Sequence, residues 1–338
     1  MESDQIATDP VVEADDAIFE ACLEAAEYNL ISETIGYFGP DSVAWQVFRE
    51  PVILLGGYRA IMLQVAHPAV AQGVEQSSSF RNDIIGRARR TIQAMNSLIF
   101  GSRDQALKAA RTMHMIHHRV KGIVPENIES SWAGQPFRAN DLILKNWVGL
   151  TTIDAVIDYF EKFVRPLSSA ELDRLADEIQ TLAYLCGLPD AYHYDSIAAL
   201  REKRNKMLSG DELTGCDIAC GIIRDLFETI PGSLDQRITY GMLPEQARKL
   251  YQIDWSAQDQ QDYERLSSKI SFLNRSLPKS IRYIPAWNQA QNRISQVKTD
   301  GEEKAFRLSL FQKGREQTAG LYMRLLGISG EQSEQTEA

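Results

Sequence analysis

Apolar residues recur at three- and four-residue steps along most of the chain, and the every-second-residue alternation of a half-buried strand is nearly absent. A first helical pattern runs from Glu13 to about Asn29 through Ile18, Cys22 and Ala25. Gly39-Pro40-Asp41-Ser42 marks a turn with an N-cap before Val43, Trp45, Val47 and Phe48. Pro51 suits a helix start, and the stretch from Val52 to Ala60 is apolar on nearly every face, so its helix is expected at the centre of the fold. Within it, Gly56 and Gly57 would let another backbone or a flat cofactor come close. His67-Pro68 breaks or ends this helix, because proline disfavours the α conformation in the residue before it. The serine-rich run from Gln76 to Phe80 is expected as a loop, and Asn82 or Asp83 as the cap of the next helix. In that helix Ile85, Ala88, Ile92, Met95 and Ile99 recur at three- and four-residue steps, while Arg87, Arg90 and Thr91 form a separate stripe. Phe100-Gly101-Ser102 is a stop and a new cap, and the helix from Arg103 carries Leu107, Ala110, His114 and His117 on one face before closing near Gly122.

A loop rich in Pro, Gly and Ser spans 122–139. A long helix then runs from Asn140 towards Phe163 through Leu142, Trp147, Leu150 and Ile153, and Ser168-Ser169-Ala170-Glu171 supplies a capping box for the one after Pro166. Further helical patterns cover about 195–208, 213–229, 244–252, 257–275, 286–297 and 303–326. With no repeat and no long linker, the expectation is one large all-α domain over residues 13–326, between a disordered N-terminus (1–12) and a disordered acidic tail (327–338).

Composition narrows the class. A net charge of −10 and 24% charged residues describe a globular protein and argue against nucleic acid as a partner. The N-terminus lacks the basic-then-apolar order of a signal peptide, no window is apolar enough to span a membrane, and the four unevenly spaced cysteines make no disulfide framework. A cytoplasmic protein with reduced thiols is the expectation. Phosphate-binding glycine loops, nucleophile elbows, zinc-protease helices and the Glu-x-x-His pairs of di-iron bundles are all missing.

What remains is a histidine cluster. Three of the five histidines (His114, His117 and His118) fall near the end of one helix. Between Arg81 and Lys121 there are nine Lys or Arg and two acids, against the trend of the whole chain. His114 and His118, at i and i+4, could chelate zinc, although no further ligand set is evident. A single imidazole could instead hold haem iron, with the basic residues facing the propionates. Helix C-terminal histidines favoured by the macrodipole are the third reading.

A succession of motifs bears on this choice. Leu54-Leu55-Gly56-Gly57-Tyr58-Arg59-Ala60, His67-Pro68-Ala69-Val70, Arg87-x-x-Arg90-Thr91 and His117-x-x-Val120-x-Gly122 follow in order. Asn140-Asp141 with Trp147, and Arg165-Pro166-Leu167-Ser168 with Glu171, continue the series. It resembles the oxygenase family that includes bacterial rubber oxygenase and the fungal endoplasmic-reticulum oxygenase mpaB. The resemblance implies a globin-like all-α core around haem b, with His117 as the iron ligand and Arg87, Arg90 and Thr91 on the distal side. The rubber enzymes have lysine where this chain has Arg90, a residue that cannot shed its proton. Glu75 is the nearby candidate for their distal carboxylate, and a solvated loop residue is its plainer reading. His114 and Gly57 would lie near the cofactor, His67 would hydrogen-bond within its helix bend, and His193 would sit in a surface loop. The implied activity is oxygenation of an apolar substrate, isoprenoid or fatty, with O2 and an electron donor as partners. The alternatives are a non-catalytic haem- or lipid-binding protein, such as a redox or oxygen sensor, and a member that keeps the fold without haem.

Overall fold

Helix boundaries follow from local capping chemistry. A computed structural model describes residues 16–76, 83–229, 233–278 and 282–298. The expected termini, the loop around 77–80 and the helical pattern at 303–326 lie outside the described residues. Among the described residues the chain is all-α apart from one small ribbon. Helix α1 (Asp16–Glu27) leads to α2 (Val43–Phe48), whose N-cap Ser42 accepts a hydrogen bond from the Trp45 amide. The Glu178 carboxylate also accepts from the Val43 and Ala44 amides, tying a distant helix to that buried N-terminus. Pro51–Leu55 form a 3-10 turn that runs into α3 (Gly56–Val65), and α4 (Pro68–Gln76) begins after the expected break at His67. Helix α5 (Ile84–Phe100) is capped by Asp83, and α6 (Arg103–His118) by a reciprocal Ser102–Gln105 box.

The expected loop at 122–139 holds more order than its composition suggests. Strands β1 (Lys121–Ile123) and β2 (Pro136–Arg138) pair antiparallel, with Gly122 opposite Phe137. Phe137 is buried with Ala69, Val124, Trp132 and Leu144, so the ribbon stands by packing as well as by its hydrogen bonds. Then follow α7 (Leu142–Phe163), α8 (Ser169–Leu185, with the predicted Ser168–Glu171 box), α9 (Ile197–Leu208) and α10 (Asp217–Thr229). The described chain closes with α11 (Ser233–Met242), α12 (Glu245–Leu250), α13 (Ala257–Ser276) and α14 (Pro285–Lys298). Helix α11 was not anticipated: Pro231-Gly232 before it and Gly241 within it hide a short pattern among breakers. Helix α8 stops at Gly187, whose φ of +72° suits glycine, and a side chain there would meet Phe19 and the Lys145 ammonium.

Helices α3 and α7 are the centre. Gly56 lets α3 approach α7 closely, since a Cβ there would lie 3.1 Å from the Tyr159 ring and 3.3 Å from the Ala155 carbonyl. Between them Arg59 is 1% exposed and Asp154 0%. Arg59 Nη2 donates to Asp154 (2.6 Å) and Asp158 (2.9 Å), and its Nε to the Met242 carbonyl (2.8 Å). Arg204 of α9 donates to the same Asp154 oxygen (2.5 Å), and Arg201 to Asp158 (2.6 Å). Burial works to raise the Asp154 carboxyl, but the Arg59 and Arg204 guanidinium groups outweigh it and hold the group below the usual aspartate range.

Removing one partner of such a pair leaves an uncompensated buried charge, so Asp154→Ala is expected to cost about 3–5 kcal/mol in urea unfolding. The same carboxylate stabilises the fold at neutral pH and loses that effect as pH falls below the ordinary aspartate value. The acid limb of the stability curve should therefore be steep in the wild type and shallower in Asp154→Ala.

Candidate functional site

The histidine cluster divides once its surroundings are visible. His114 is buried and turned towards α1: its ring stacks on Phe19 at 4.0 Å between centroids, and Nε2 lies 3.0 Å from Asp16 Oδ1. His118 is exposed. His117, one turn after His114, is half-buried, and its Nδ1 is enclosed without a hydrogen-bond partner. Burial pushes its pKa down to about 4, and Lys145, Arg87 and His114 add repulsion against a second proton. His117 is thus a neutral imidazole facing basic groups from α5, α6 and α7. Neutrality is what metal ligation by histidine requires.

Two other groups complete this neighbourhood. Lys145, in the first turns of α7, is buried and donates to the Gly187 carbonyl at 3.3 Å. Burial lowers its pKa to about 8, and the thiols of Cys186 and Cys22 pull the other way. Asn140, fully buried at the entry to α7, donates Nδ2 to the His114 carbonyl at 3.3 Å and leaves its Oδ1 without a partner. Reasoning from the sequence passed over Lys145. Its signal was a cation inside an apolar helical stretch, between Leu144 and Trp147.

The arginine stripe of α5 is not brought together at one point. Arg87 is half-buried, and burial, with Arg90 nearby, lowers its pKa. The Arg90 side chain is 59% exposed and reaches back to Asp83, the N-cap of its own helix, at 3.0 Å. Thr91 is exposed. Gly57 is exposed and a Cβ there would meet nothing within 4 Å, unlike its packed neighbour Gly56. Glu75 is half-buried on α4, with Oε2 enclosed.

His67 differs from its expected role. The residue is completely buried, neither ring nitrogen makes a hydrogen bond, and the ring meets Trp132 edge-on at 4.7 Å. Its place is set by apolar packing rather than by capping the helix break, and burial lowers its pKa to about 3. His193 does lie outside the helices, yet its side chain is only 9% exposed, packed on Tyr184 with Nε2 3.3 Å from the Leu188 carbonyl. A surface groove of about 640 Å3 lies between residues 31–42, α8 and α14, and none of the candidate residues lines it. Among the described residues no three His, Cys, Asp or Glu side chains form a set that could hold a metal ion by themselves. Among the described residues no helix is long and apolar enough to cross a membrane.

The helical domain thus brings a neutral, enclosed His117 imidazole together with cationic groups of neighbouring helices. Residues 45–271 match the family model described as the catalytic domain of ER-bound oxygenase mpaB/B'/Rubber oxygenase. The chain belongs to this oxygenase family, as the order of its motifs suggested. No curated protein and no solved structure matches it.

Two neutral histidines, one buried and one half-buried, have a consequence for stability. Both pKa values lie below the ordinary 6.5, at about 4 for His117 and about 3 for His67, so the unfolded chain binds the extra protons first. Stability should fall as pH drops from about 6.5 towards 4. His67→Leu should flatten this dependence of the urea midpoint, whatever its effect at pH 7.5. An unchanged slope would show that His67 titrates as freely folded as unfolded.

Proposed function

We propose that the chain is a haem-dependent oxygenase acting on an apolar substrate, with His117 as the protein ligand to iron and the helices packed around the macrocycle in a globin-like way. The observation that carries the reading is the His117 imidazole, enclosed and neutral, with Arg87 and Lys145 as the charged groups acting on it. The residues fit haem: one histidine suffices when a porphyrin supplies the other ligands, and the buried Lys145 and half-buried Arg87 suit its propionates. Family membership supports the oxygenase part.

When bound, haem supplies the iron chemistry that activates O2. The protein's contribution is then physical. Burial keeps His117 deprotonated and therefore able to donate a lone pair at neutral pH. Arg87, half-buried on α5, offers guanidinium hydrogen bonds to negative charge developing on an oxygen substrate. Helices α5, α6 and α7 limit water around it. Arg90 and Thr91 keep a proposed place beside Arg87 on the same helix, although Arg90 would have to release Asp83 to act there. Gly57 would allow a flat group to lie against α3, and His114 would support α6 from behind through Phe19.

The purified protein should show a strong Soret band. His117→Ala should remove it, while His193→Ala and His118→Ala should leave it. Arg87→Ala should slow O2 consumption by about a hundredfold, equivalent to the ~3 kcal/mol typical of one buried donor, with haem content near normal. Parallel loss of haem and activity in Arg87→Ala would reduce that residue to a propionate clamp. A Soret band without O2 uptake on any olefinic substrate would favour a binding protein.

A further inference from the structure

The end of α6 departs from the acidity of the chain as a whole. Its net charge is −10, yet the stretch from Gln105 to Pro125 holds Lys108, Arg111, Arg119, Lys121 and three histidines without one aspartate or glutamate. Arg111 is paired with Glu20 on α1, but the end of the stretch faces outward. The last turns of α6 expose Met115 (53%) and Ile116 (57%) together with His118 and Arg119. The ribbon that follows exposes Ile123 (65%). Lys121 lies opposite Arg138 and Ile123 opposite Pro136, all four outward, while the inner residues Gly122 and Phe137 rest on Gln76 and Gly73 of α4. Large aliphatic side chains standing in water contribute nothing to the isolated fold, and Arg119 and Lys121 are exposed among them. Both features suit a counterpart that is apolar within and anionic at its surface.

We propose that the outer face of the α6 C-terminus and the β1–β2 ribbon docks on the anionic headgroup surface of a lipid bilayer. Met115, Ile116 and Ile123 enter the headgroup–acyl boundary, and Arg119 and Lys121 lie among the lipid phosphates and carboxylates. A lipid surface fits better than an acidic protein because the apolar residues are prongs interspersed with cations, not a continuous apolar centre with a polar rim. Cations and large apolar side chains exposed together on this face complement such a bilayer in both charge and polarity. Docking would set the helix of His117 against the phase in which an apolar substrate dissolves. The purpose of docking rests on the oxygenase reading, whereas the surface itself does not.

The test is co-sedimentation of the full chain with vesicles of phosphatidylcholine alone or mixed with phosphatidylserine. Binding is expected to the mixed vesicles only, and to weaken as salt is raised. Arg119→Glu with Lys121→Glu should weaken it by about 25-fold or more, at about fivefold for each cation lost. Met115→Ser with Ile123→Ser should weaken it without changing its salt dependence, and Lys203→Glu on α9 should leave it unchanged. Circular dichroism on each variant separates lost docking from lost folding. The proposal is overturned by absence of binding to the mixed vesicles, by equal binding to phosphatidylcholine alone, or by folded patch variants that bind like the wild type. It is also overturned if heparin binds this face as tightly as vesicles do. Haem content and O2 consumption, read on the same samples, keep the two ideas apart: losing them with vesicle binding intact strikes the oxygenase reading alone.

Discussion

Arg59 is a guanidinium held at the centre of a helical protein, and much of the architecture can be understood as what its burial requires. A lone buried cation is costly, so two carboxylates, Asp154 and Asp158, must arrive with it on α7. Two carboxylates need more than one cation, and α9 supplies Arg201 and Arg204. The Met242 carbonyl takes the Nε proton and draws in the end of α11. Four helices are thereby fixed in register by directional bonds, where apolar packing alone would tolerate sliding. Such a network is a weaker source of net stability than an apolar core of equal volume, and its effect is to exclude other arrangements.

That register bears on the candidate site. Helix α7 carries Asp154 and Asp158 near its middle and Lys145 near its start, with Asn140 just before it. Placing the acidic pair against α3 also places Lys145 against Gly187 and Asn140 against the His114 carbonyl. The position of His117 relative to Lys145 is therefore set by the same helix that neutralises Arg59. A change at Asp154 would be felt at both ends of α7.

The helices themselves were largely legible because their signals are local. Asp83, Ser102 and Ser168 cap the helices they were expected to cap, and Pro68 divides α3 from α4. The ribbon was not legible, because its one buried side chain, Phe137, sits among prolines and glycines that read as loop. Arg87, Arg90 and Thr91 show the limit within the site. Spacing of three and four residues places them on one stripe, but periodicity gives only relative direction. It did not reveal that Arg90 would turn back to Asp83, seven residues away, while Arg87 turned inward. The Arg59 network was hidden for another reason: its members are scattered from Arg59 to Met242, although a single arginine in an apolar run and aspartates at i and i+4 in another were its trace.

The distance along the chain between Arg59 and its partners also imposes an order on synthesis. Ninety-five residues separate Arg59 from Asp154, and 183 separate it from Met242. At ribosomal rates of about 5–20 residues per second, α3 waits roughly 5–20 s for its first carboxylate and about twice as long for its last acceptor. Through that interval a largely apolar helix of the nascent protein carries a solvated charge, which resists burial against the wrong neighbour until the right one has been made.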